Sequence, residues 1–318
     1  MANFETGKEF TFEPASFLPF KDKKVLDYVR NIKREDMEKH WNPEFKIKIV
    51  PEVNSLLVAD AFTRIKMSDD LDQRVVLVFP NPWAEAYSNL ATLINQFRVN
   101  CRNVWVFCED EFADQDGNVA PLSYKGGLSY AFMNSFYKNI DPELRMPEKQ
   151  CNHFTTENYR YYSDLIDEAG NGGADVIYNG CGWAGHTSFI DPSPEYETDT
   201  ISLEEFKKIG SRLLTLHPLS ICENSFMGTL GASGDVYNVP PKAVTIGPRD
   251  LQHARLRFDF HCFTFPGGYF SWQRLISRLG IWGPVTPLVP YSLNQELRCN
   301  VYITEDMARP IESVLSGF

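Results

Sequence analysis

Two short stretches of the chain hold side chains suited to moving protons. The first is Phe107-Cys108-Glu109-Asp110-Glu111-Phe112, three carboxylates in succession after an apolar run. Acids bunched at a strand terminus repel one another, which raises the pKa of the least solvated and suits it to carry a proton between adjacent carbons. Strand alternation places Val104, Val106, Cys108 and Asp110 on one side, and Trp105, Phe107, Glu109 and Glu111 on the other. The second stretch is YNGCGWAGHTSFIDP, Tyr178–Pro192, where His186 stands among Gly180, Gly182 and Gly185. Glycines cost conformational entropy, so a loop rich in them brings its backbone close to something. An imidazole near neutral pKa can protonate one oxygen and take a proton from another. Asp191 can hold its tautomer if the loop turns back. The plainer alternatives are a solvated acidic turn and a histidine packed under a glycine turn.

Each motif needs a strand to present it. RVVLVF (Arg74–Phe79) is a continuous apolar run, the mark of a strand covered on both faces. NVWVFC (Asn103–Cys108) and ADVIYNG (Ala174–Gly180) lead into the two motifs. Further strands are expected at Lys46–Val50, Ala243–Gly247, Arg257–Phe263 and Cys299–Thr304. Helical spacing predicts helices after the first of these strands (Leu56, Leu57, Ala61, Ile65), at Ala84–Phe97, near Tyr130–Tyr137, at Glu157–Ala169, Leu203–Leu213 and Phe270–Leu279, and a short one at the end. Strand alternating with helix means a mostly parallel α/β sheet wrapped on both faces, with ligands beyond the carboxyl ends of the strands. Residues 1–44, with helical spacing at Val25, Leu26, Val29 and Ile32, form an N-terminal helical extension, and 45–318 form one domain.

Bulk properties exclude some classes. Of the 318 residues 43% are hydrophobic and 23% charged, an ordinary globular balance. A formal charge of −11 argues against a nucleic-acid partner. No apolar run approaches the roughly 20 residues that span a bilayer, and the N-terminus lacks a signal-peptide pattern. Seven scattered cysteines point to reduced thiols and a cytoplasmic protein. Cys151/His153 and His261/Cys262 lack a second pair at ligand spacing, so no metal site is expected.

The two motifs, in order and on successive strand ends, resemble the glucosamine-6-phosphate deaminase/isomerase family, which includes the 6-phosphogluconolactonases. FCEDEF is similar to the family's F-x-x-D-E-[YF], GLSYAFM to its S-Y-x-x-F-M, and GCGWAGHTSFIDP to G-x-G-x-[DN]-G-H-I-A-F-N-E-P. PPKAVTIG is similar to P-x-x-A-[LI]-T-[VM]-G, and FKIKIVPEVNSLLVADAFTRI to the opening strand and helix. The resemblance runs from about Phe45 to the C-terminus. It implies a modified Rossmann-like three-layer sheet, oligomers, a small sugar or sugar phosphate as partner, and no cofactor. It further implies that Asp110, beside Glu111, moves a proton between C1 and C2, that His186 opens the sugar ring, and that Asp191 is its carboxylate partner.

The departures point in one direction. Ala184 stands where the family has an acid before Gly-His, leaving Asp191 alone to orient His186. A glycine-rich phosphate loop is replaced by Pro80-Asn81-Pro82-Trp83-Ala84-Glu85, which removes donors and adds a negative charge. The arginine of the family's A-N-S-R-F-F falls on Phe226 in Glu223-Asn224-Ser225-Phe226, and the last lysine of the chain is Lys242. The substrate is therefore not expected to be anchored by phosphate. Trp83 is expected to stack on a sugar face with Asn81 bonding hydroxyls, the glycines to approach the ligand, and Arg249 to offer a replacement positive charge. Three activities stay open: aldose–ketose isomerisation or deamination of an amino sugar, lactone hydrolysis (GHTS is close to the lactonase G-H-T-A), and sugar binding without catalysis.

Overall fold

The computed structural model describes residues 11–80, 82–264 and 271–312. A short helix, α1 (Lys23–Arg30), precedes β1 (Phe45–Val50), and α2 (Asn54–Leu71) returns the chain to β2 (Val75–Phe79). Then come α3 (Ala84–Gln96), β3 (Val104–Cys108) and, after one residue, β4 (Asp110–Ala113). α4 (Leu128–Ser135), β5 (Cys151–Asn152) and α5 (Tyr162–Gly170) lead to β6 (Val176–Gly180). Beyond the glycine loop lie α6 (Leu203–Phe206), β7 (Arg212–Thr215), α7 (Pro218–Asn224), β8 (Lys242–Thr245) and α8 (Pro248–His253). The chain finishes with β9 (Arg257–His261), α9 (Arg274–Trp282), β10 (Cys299–Thr304) and α10 (Glu305–Ala308).

Seven strands form one sheet in the order β1-β10-β9-β6-β2-β3-β5. Every neighbouring pair is parallel. From central β2 the chain builds outward through β3 to β5, then crosses back to β6, β9 and β10, so the direction of growth reverses between β2 and β6. A crevice opens at such a reversal, beyond the carboxyl ends of the strands. β4, β8 and β7 make a second, antiparallel sheet.

The pleat of β2 explains why its apolar run is unbroken. Val75, Leu77 and Phe79 pack with α2, α3 and α4 on one face, while Val76 and Val78 pack with α5 and the small sheet on the other. A third cluster joins β1 and β10 to Ile281 and Tyr291. The residues before β1 lie against this body. Val29 of α1 is buried with Leu279 of α9 and Val289. Phe17 accepts a hydrogen bond from Nε2 of His217 at 2.9 Å.

Three expected helices are corrected. The helix expected over Leu203–Leu213 spans only Leu203–Phe206, because Arg212–Thr215 pairs edge to edge with β8 and becomes β7. Local helical spacing yields there to a tertiary partner. The helix expected to start at Glu157 begins at Tyr162, and the one expected over Phe270–Leu279 spans Arg274–Trp282, Phe270 lying outside the described residues. Among the described residues, no helix is long and apolar enough to cross a membrane.

Leu77 is fully buried in the central strand. Replacing it with alanine should lower the unfolding free energy by about 2–5 kcal/mol, the cost of a core cavity. Urea denaturation checks this, and a loss near zero would contradict the central position of β2.

Candidate active site

The carboxyl ends of β2, β3, β6 and β9 meet at a cavity of about 90 Å³. β2 contributes Pro80 and, past it, Trp83; β3 runs into Glu109 and Asp110; β6 contributes Asn179, Gly180 and the loop to His186; β9 contributes Phe260. α7 closes the remaining side with Glu223 and Asn224.

His186 is 6% exposed, and its Nδ1 is held by two partners. Nδ1 lies 2.7 Å from Oδ1 of Asp191 and 2.9 Å from Oγ of Ser220, whose hydroxyl donates to the same carboxylate oxygen at 2.7 Å. The other oxygen of Asp191 accepts the backbone N–H of His217 at 2.8 Å. On the cavity side, Nε2 is 3.6 Å from Oε2 of Glu223. Burial opposes a charged imidazole, but Asp191, Glu223 and Asp110 outweigh it and raise the pKa to about 9. The surrounding carboxylates therefore favour the charged imidazolium.

The glycines serve this histidine. A side chain on Gly182 would overlap its imidazole, so the ring occupies the space that glycine leaves. The loop closes by two hydrogen bonds, Gly182 N–H to His186 O and Gly185 N–H to Gly182 O, each 2.9 Å. Gly185 sits at φ +85°, a conformation glycine adopts freely, and a Cβ there would press on Val289 and Ile276. Gly180 lets β6 pass close to the carbonyl of Phe260.

The acidic motif divides its labour differently from strand alternation. β3 ends at Cys108, and the chain changes sheets at Glu109, whose N–H bonds Phe79 O at 3.1 Å and whose carbonyl accepts Ile246 N–H at 2.9 Å. That crossover turns both Glu109 and Asp110 into the cavity. Burial, then the neighbouring Asp110, push the Glu109 carboxyl well above the ordinary range. Glu111 goes elsewhere. It is 1% exposed and accepts the N–H groups of Phe112, Leu128 and Ser129 at 2.7–3.0 Å, capping the start of α4. Glu111, expected beside Asp110 in the site, does not line the cavity.

Trp83 lines the cavity in T-shaped contact with Phe260, ring centroids 5.1 Å apart. Asn81 lies outside the described residues. Arg249 does not reach the cavity. It sits on α8 and pairs with Asp164 at 2.6 Å, so it brings no positive charge to the ligand. Among the described residues lining the cavity there is no lysine or arginine. Among the described residues, both amide atoms of Asn179 are buried without a hydrogen-bond partner, which leaves them to a polar ligand.

Sequence reasoning missed Glu223, Ser220, Asn179 and the inward turn of Glu109. For Glu223 the signal is reciprocal: the chain has alanine where the resembled motif has an acid before Gly-His, and glutamate where A-N-S-R-F-F has alanine. Among the described residues no cluster of histidine, cysteine and carboxylate is placed to hold a metal ion.

No protein-family model and no curated protein sequence matches the chain. Solved structures do match. A monomeric glucosamine-6-phosphate deaminase superposes with a TM-score of 0.63 at 17% identity, over 83% of this chain and 99% of its own. The 6-phosphogluconolactonase of Thermotoga maritima gives 0.52 at 16%, over 81% and 98%, and that of Trypanosoma brucei 0.54 at 14%, over 83% and 97%. The chain has the fold of these enzymes.

Gly182→Ala should displace the imidazole while the sheet stays intact. A crystal structure of the variant is expected to show the ring drawn off Asp191 or the loop shifted; an undisturbed ring would contradict the steric role of this glycine.

Proposed function

We propose that the protein is an aldose–ketose isomerase, or an isomerising deaminase, acting on an amino sugar or a related sugar that is not anchored through phosphate. The observation that carries this is the common cavity of Asp110 and His186, furnished with carboxylates and an aromatic wall and, among the described residues, lined by no lysine or arginine. His186, as an imidazolium, donates its Nε2 proton to the ring oxygen as the C1–ring-oxygen bond breaks, and the imidazole then takes the proton of the C1 hydroxyl, leaving the C1 aldehyde. Asp110 removes the proton from C2 while the C1 carbonyl oxygen takes the imidazolium proton, an enediol (an enolamine for a 2-amino sugar) forms across C1 and C2, and the same carboxyl returns its proton to C1 as the C2 substituent gives one up to the imidazole. Asn179 and Glu109 offer neutral donors and acceptors to hydroxyl groups, and Trp83 offers an apolar face to the ring. Asp110, as the ionised base, would repel a phosphate.

Lactone hydrolysis is the second reading, favoured by the similarity of fold to 6-phosphogluconolactonases. It needs a base to activate water. A histidine with its pKa raised to about 9 supplies little free base at neutral pH, which weighs toward isomerisation.

The test incubates glucosamine, glucose, their 6-phosphates and gluconolactone with the protein in deuterated water. Deuterium at C2 or C1 of an unphosphorylated sugar supports the proposal; acid release from the lactone alone supports the second reading. Asp110→Asn should slow exchange by about 100- to 10,000-fold. Because the acid form of His186 is the active one, the rate should hold through neutral pH and fall as pH rises through about 9. A rate that first appears above that pH would contradict the assignment.

A further inference from the structure

The mechanism above uses His186 and Asp110 and leaves Glu223 as a bystander, yet its setting is not that of one. Glu223 is 3% exposed, on a seven-residue helix that otherwise contributes Ser220 to the same histidine. Burying a carboxylate costs free energy unless it is paired and hydrogen-bonded. Its Oε2 accepts the backbone N–H of Trp183 at 2.7 Å and lies 3.6 Å from His186 Nε2. Trp183 is the residue between Gly182 and Ala184, inside the turn that seats the imidazole. One oxygen thus ties the turn to α7 and faces the ring nitrogen that points into the cavity.

We infer that Glu223 is the second carboxylate of the acid–base centre, a positioning residue that holds the Nε2 side of His186 from α7 while Asp191 and Ser220 hold Nδ1. Its part is to keep a proton on Nε2 between turnovers. When that nitrogen gives its proton to an oxygen of the ligand, the neutral imidazole is left between two carboxylates, and their combined field draws a proton back. With Ala184 beside the turn, the loop has no acid of its own at that point; the helix supplies it. The other ionisable groups on this cavity are Asp110 and Glu109 at the β3–β4 crossover and the Cys181 thiol at the end of β6. Asp110 acts on the imidazole through space, whereas Glu223 is within ion-pair distance.

The inference concerns the protonation of His186 and rests on the proposed reaction only for its use. It is therefore tested without turnover. Proton NMR of the imidazole Cε1–H gives the His186 pKa in the wild type and in Glu223→Gln, which keeps an acceptor for Trp183 N–H and removes the charge. The expected result is a fall of about one unit or more, the size of shift caused by losing an adjacent opposite charge. Glu223→Asp should recover part of it. An unchanged pKa in a folded Gln variant overturns the inference. Should that variant fail to fold, the carboxyl carbon of Glu223 in wild-type protein is followed instead. It must shift in step with the His186 titration, and an independent titration overturns the inference equally. A lowered pKa with no deuterium exchange into any sugar would leave this role standing and remove the isomerase proposal.

Discussion

Keeping a proton on a buried histidine demands anions close by, since burial alone drives an imidazole neutral. Around His186 those anions come from separate parts of the chain: Asp191 from the loop beyond the histidine, Glu223 from α7 and, at longer range, Asp110 from the β3–β4 crossover. The arrangement holds only if these elements are fixed relative to one another. Much of the surrounding structure can be understood as meeting that demand. Ser220 bridges ring and carboxylate, His217 N–H fixes the second oxygen of Asp191, and Trp183 N–H fixes Glu223. The gap left by Gly182 admits the ring. The N-terminal segment joins in at one remove. His217 accepts Leu219 N–H at the start of α7 through Nδ1 and donates through Nε2 to Phe17, so the start of α7 is tied to residues that precede the first strand.

The sheet sets where this can happen. Growth from β2 in both directions opens the crevice between the ends of β2 and β6, and the adjacent ends of β3 and β9 widen it. The small antiparallel sheet has a second role. By drawing the chain off the main sheet at Glu109, it aims two consecutive carboxyl groups into one hollow, which a continuing strand would have sent to opposite faces. The result is a cavity acidic on one side, aromatic on the other and free of lysine and arginine among the described residues.

Much of this was legible in the sequence. The buried strands announce themselves as unbroken apolar runs, and the two chemical motifs sit at their carboxyl ends. The meeting of Asp110 and His186 in one cavity, and Asp191 beside the imidazole, was expected from residue type, order and family resemblance. What was not legible depends on partners distant in sequence. β7 and β4 are four residues each, too short to show a period, and exist because β8 lies between them. Glu111 looks like Asp110 in sequence; only the approach of α4 turns it into a cap. Glu223 was passed over because its helix is short and its contact with His186 is tertiary.

The most direct measurement is a crystal structure with an open-chain sugar analogue, the alditol of glucosamine, bound in the cavity. The account predicts C1 and C2 within about 3.5 Å of the Asp110 carboxylate, at near-attack distance, and an oxygen of the analogue within about 3 Å of His186 Nε2. Binding at another surface, or in this cavity with the carbon chain turned from Asp110, would contradict it.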